Sequence, residues 1–100
     1  MHTLNELAKV AHENALRRRK ITSTTDRVEM HEESCRTLYA ELVELRHASE
    51  IRKSLHLPQY TEAQEELADL LIGCLTELHR RSVDVQKLIE DKISFNTTRV

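Results

Sequence analysis

The stretch Thr61-Glu-Ala-Gln-Glu-Glu-Leu-Ala-Asp-Leu-Leu-Ile-Gly-Cys-Leu-Thr-Glu-Leu-His-Arg-Arg81 decides the fold. Its apolar residues Ala63, Leu67, Leu70, Leu71, Cys74 and Leu78 recur at spacings of three and four, the period of an amphipathic helix. Thr61 and Gln64 form a capping box, in which each side chain meets the other's backbone N–H. Glu66 and Asp69 are three apart, so both carboxylates leave this helix on one face, about one turn apart. Gly73 continues their line, and a residue without a side chain there permits close approach of a ligand or a partner backbone.

The same pattern recurs upstream as Glu41-Leu-Val-Glu44, with Ala48 in the position of Gly73. If the two helices face each other, four carboxylates surround one point. Four like charges that close repel strongly unless a cation cancels them. A hard divalent ion suits oxygen ligands, with Mg²⁺ foremost and Mn²⁺ as its substitute. The alternative is an ordinary solvated acidic face, because these four acids border the apolar stripes and do not lie inside them.

The remainder of the chain reads as three further helices. The first begins at the capping box of Thr3 and Glu6 and runs to about Lys20 through Leu4, Leu7, Ala8, Ala11 and Ala15. The second is capped near Asp26 and fades near Ser49, with Val28, Cys35, Leu38, Leu42 and Leu45 as its stripe. Arg52 to Tyr60 contains the one proline, Pro58, and is a loop. The fourth helix follows a turn at Ser82–Asp84 and runs to about Asn96 through Val85, Leu88, Ile89 and Ile93. Lys92 and Asn96 fall within that apolar face, where a lysine needs an anion or must reach outward to water.

One hundred residues make one domain, spanning 1–100, and limit its core. One glycine, one proline and 3% aromatic residues argue for an all-α fold. The leftover apolar stripes predict a homodimer or homotetramer. Charged residues make up 32% and nearly balance, to a net charge of -2, which does not favour nucleic acid as a partner. No segment has the apolar length of a membrane span, and the expected location is the cytoplasm. Cys35 and Cys74 read as reduced thiols. His31 and Cys35 share a helix face, but a structural zinc needs four ligands and no second pair matches them. The run Arg17-Arg18-Arg19-Lys20 suits a helix C-terminus, and it also suits the steering of an anionic substrate.

Taken in order, these segments resemble the MazG-like, all-α nucleoside triphosphate pyrophosphohydrolases. Leu38-Tyr-Ala-Glu-Leu-Val-Glu-Leu-Arg46 is similar to that family's first acidic helix, and Glu65-Glu-Leu-Ala-Asp-Leu-Leu-Ile72 to its most distinctive segment. Lys92-Ile-Ser-Phe-Asn96 followed by Arg99 resembles its closing pattern, and His12-Glu-Asn-Ala15 its asparagine-bearing first helix. The resemblance implies a four-helix bundle completed by oligomerisation. It implies Mg²⁺-dependent cleavage of a (deoxy)nucleoside triphosphate (dNTP or NTP) to monophosphate and pyrophosphate, in the service of nucleotide-pool cleansing. It gives Glu41, Glu44, Glu66 and Asp69 the metal and the catalysis, and Lys92, Asn96, Asn14 and Arg99 the substrate. The chain departs from the family at Leu16-Arg-Arg-Arg-Lys-Ile21, where smaller members place a glycine and an aromatic residue. The rival expectations are a phosphoribosyl-ATP pyrophosphohydrolase-like enzyme and a non-catalytic helical interaction module.

Overall fold

The computed structural model describes residues 2–99 and contains four helices: α1 (Leu4–Arg17), α2 (Arg27–His47), α3 (Glu62–Arg80) and α4 (Val85–Thr97). Each begins where its sequence supplies a cap. Both capping boxes form, Thr3 with Glu6 and Thr61 with Gln64. The Asp26 carboxylate accepts from the N–H groups of Val28 and Glu29, and Asp84 accepts from that of Lys87. These contacts satisfy backbone donors that a helix start otherwise leaves open. Among the described residues there is no strand, and Lys53 and Thr61 form only an isolated bridge. No described helix is long and apolar enough to cross a membrane.

Helix α3 is the organising element. It packs along α1 on one side and α2 on the other, while α4 leans on α1 and on α3. The apolar centre lies at one end, where Ala8, Leu75 and Val85 are buried and Leu4, Leu78 and Ile89 close over them. Asn5 pins this end, because its Oδ1 accepts the Val85 N–H at 2.7 Å and its Nδ2 donates to Asp84 at 3.0 Å. The loop after α2 is tied to the start of α3. Arg52 Nε meets Glu62 at 2.7 Å, and the buried Ser54 hydroxyl donates to Glu65.

The structure corrects the apolar stripes read from the sequence. On α2, Val28 is 71% and Leu42 50% exposed, and the buried residues are Glu33 and Ser34. On α3, Leu67 and Leu71 face outward, and Leu75, Thr76 and Glu77 are inside. The second half of α4, including Lys92, Ile93, Phe95 and Asn96, is exposed, so Lys92 does not sit within a packed face in the single chain. The radius of gyration is 15.0 Å, against about 13 Å for a compact chain of this length. An open arrangement with this much apolar side chain on its surface leaves hydrophobic free energy uncollected within one copy.

Candidate metal centre

Three acids converge between α2 and α3. One carboxylate oxygen each from Glu41, Glu66 and Asp69 lies within 4.8 Å of the others, and all three residues are half-buried. Glu41 comes from the second half of α2, and Glu66 and Asp69 from the first half of α3. The three-residue spacing on α3 and the packing of α2 against it produce this convergence. Gly73 permits the close approach: a methyl group there would stand 2.9 Å from Leu38 Cδ2 of α2.

Glu44, the fourth predicted ligand, stands outside the trio. It is exposed and lines a shallow groove with Glu66, Asp69, Glu65 and His56. Its charge nevertheless reaches the cluster. Burial, then the charges of Asp69, Glu44 and Glu41, push the Glu66 carboxyl above its usual range. Asp69 is raised by burial, then by Glu41 and Glu65, and Lys20 pulls it partly back. Oε2 of Glu66 is fully buried and has no hydrogen-bond partner. A buried oxygen of that kind normally has one. An all-oxygen donor set, an orphaned carboxylate oxygen and mutual repulsion together fit a hard divalent cation.

Beside the trio lies a cavity of about 190 Å³. Glu41 and Asp69 line it with Leu38, Ile72 and Gly73, and so do Asn14 of α1 and Arg18 and Lys20 just beyond that helix. Asn14 is held in place by Arg17, whose Nη2 donates to its Oδ1 at 2.7 Å. Lys20 Nζ reaches Glu41 Oε1 at 2.9 Å. Of the residues expected to hold substrate, Asn14 therefore lies at the cavity. Lys92, Asn96 and Arg99 do not line it; they sit on and just beyond the exposed end of α4, where Lys92 and Arg99 both rest near the Phe95 ring.

Two features were only partly legible in the sequence. The run Arg17–Lys20 suited a helix end or the steering of an anionic substrate, but its spacing did not place Arg18 and Lys20 in the cavity lining. The other is Glu77, which extends the line of Glu66, Asp69 and Gly73 by one more turn into the cavity floor. Glu77 is neutralised from within. It pairs with Arg80 at 3.3 Å and Arg81 at 3.0 Å, and accepts from the Ser34 hydroxyl. Arg80 also meets Glu33 at 2.8 Å. The available signals were the continuing acid line and the arginines three and four residues after Glu77, the spacing of helix neighbours; the tie from Arg80 to Glu33 was not legible, because it crosses between helices.

No family model, no curated protein and no solved structure matches this chain.

Proposed function

We propose that this protein is a Mg²⁺-dependent nucleoside triphosphate pyrophosphohydrolase of MazG-like type, releasing pyrophosphate and leaving the monophosphate. The observation that carries this reading is the Glu41, Glu66 and Asp69 trio, its oxygens within 4.8 Å of one another beside a cavity. Glu41, Glu66 and Asp69 would hold the ion, with Glu44 reaching it from the adjoining groove. A divalent ion bound there supplies charge neutralisation for a triphosphate and a more acidic water for attack at phosphorus. A carboxylate of the cluster would be placed to accept a proton from the attacking water. Asn14 contacts the sugar or base side of the nucleotide.

Oligomerisation belongs to the same proposal. A second copy would cover the outward apolar residues Tyr39 and Leu42 of α2 and Leu67 and Leu71 of α3, giving a homodimer or homotetramer. Lys92 and Asn96 of α4 and Arg99 just beyond it do not line their own cavity, so in this reading they serve the nucleotide at an adjoining copy. The physiological role is nucleotide-pool cleansing in the cytoplasm.

The test is pyrophosphate release from a panel of ribo- and deoxyribonucleoside triphosphates, with phosphoribosyl-ATP included, in Mg²⁺ or Mn²⁺. At least one nucleotide should yield pyrophosphate in a metal-dependent way. Turnover of phosphoribosyl-ATP alone would select the related enzyme. No release from any member, with no rise in melting temperature on adding ion and nucleotide, would leave the helical interaction module.

A further inference from the structure

We infer that Lys20 is a built-in placeholder cation: it occupies Glu41 until a divalent ion arrives, and then turns to the phosphates of the incoming nucleotide. The inference rests on the metal-dependent reading above and adds a device that couples metal loading to substrate binding.

The geometry carries the argument. Lys20 follows α1 through a turn in which Arg19 adopts the left-handed conformation, with φ 57°. The Lys20 N–H closes that turn on the Ala15 carbonyl at 2.9 Å. The chain thereby reverses at the cavity rim, and the residues on either side of Arg19, Arg18 and Lys20, both line the cavity. Lys20 reaches Glu41 with a side chain still 47% exposed, whereas the Glu41 side chain is 13% exposed. The carboxylate is thus fixed in the wall, and the ammonium arrives from the solvent side on a flexible stem.

Charge accounting explains the exchange. The three carboxylates carry -3 in formal charge and Lys20 returns +1, so the cluster remains undercompensated, and Oε2 of Glu66 has no hydrogen-bond partner. A divalent ion competes for Glu41, and like charge drives the ammonium away. An exposed ion pair is weak enough to be broken by that competitor. The released ammonium stays in the lining of the cavity that Arg18, Glu41 and Asp69 share with it, where the phosphates of a metal-bound nucleotide would meet it. Lys20 therefore opposes metal alone and favours metal together with nucleotide. By linkage, each ligand then strengthens the other.

The decisive variant is Lys20→Met, which keeps the apolar stem, the exposed position and the backbone bond to Ala15. Mn²⁺ binding to the nucleotide-free protein, followed by electron paramagnetic resonance, should tighten about two- to fivefold, the strength of such a pair. KM for the triphosphate should rise at least about tenfold, the loss of a charge-assisted contact. Lys20→Arg should restore the KM. Damage to the site would weaken both ligands together, so opposite movement marks the exchange. If the native protein binds Mn²⁺ and releases pyrophosphate but Lys20→Met binds Mn²⁺ no more tightly, the placeholder idea is overturned and the metal site stands. If neither protein binds Mn²⁺, the metal reading falls and takes the placeholder with it.

Discussion

Two groups of acids occupy the same pair of helices, and they are treated in opposite ways. Glu33 and Glu77 are buried at one level of α2 and α3, where Arg80, its side chain 3% exposed, pairs with both. Arg81, Ser34 and the N–H and hydroxyl of Thr22 complete their hydrogen bonds. Burial alone would raise the Glu33 carboxyl, but Thr22 and Arg80 together hold it below its usual range. Further along, Glu41, Glu66 and Asp69 have one exposed lysine among them, and the Glu66 and Asp69 carboxyls are displaced upward. The first group is internally balanced and serves the fold. The second keeps an electrostatic deficit that a ligand can fill, which is how sites and structural ion pairs differ physically.

Breaking the balanced group should have the largest effect. Arg80→Met leaves buried Glu33 without its cation and Glu77 with Arg81 alone, and should cost about 3–5 kcal/mol in urea unfolding. A loss under about 1 kcal/mol would mean that the arginine balances nothing. The deficient group should respond in the opposite sense. Asp69→Asn should reduce turnover at least about 100-fold, while the metal-free protein melts no lower than the native one, because the charge removed was an unfavourable one. A variant that both melts lower and stays active would place Asp69 with the structural acids.

A pH titration of stability sharpens the contrast further. The folded-state pKa of Glu66 is raised, first by burial and then by its neighbours, so its contribution is complete below the ordinary value of 4.5 and is lost as pH rises through the raised one. Saturating Mg²⁺ should abolish that decline. His12 works the other way. Its Nδ1 lies 2.8 Å from Nδ1 of His79, and burial, then His79 and Arg80, lower its pKa. The His12 contribution is therefore present above the ordinary 6.5 and is lost as pH falls through the lowered value. His12→Gln should reduce the loss that sets in below 6.5, leaving the part due to Glu33 and the Mg²⁺-sensitive decline in place. The smallest effect is expected at Gly73→Ala, where a gain of about 1 kcal/mol in helix propensity offsets displacement of the Leu38 side-chain end. Its stability should stay within about 1 kcal/mol of the native value, with a modest rise in KM from the narrowed cavity.

Local signals carried the helices well. Thr3, Asp26, Thr61 and Asp84 each cap the helix that follows, because a cap is settled by residues within one turn. Helix faces were less legible. The stripe of Val28, Cys35 and Leu42 met the rule for burial, yet these residues are exposed, because periodicity identifies an apolar face without identifying what covers it. The candidate site divides along the same line. Glu66 and Asp69 fall on one side of α3 by spacing alone, and Glu41 joins them only because α2 lies against that side.

The amino-acid sequence by itself determined the four helices, their starts and the pairing of acids within each helix, since these follow from interactions over three or four residues. Only the tertiary structure decided that Arg80 also reaches across to Glu33 of α2 while Glu41, Glu66 and Asp69 are left to Lys20, and that Arg18 and Lys20 border the cavity. Electrostatic balance depends on distances between residues remote along the chain, and packing alone sets those distances.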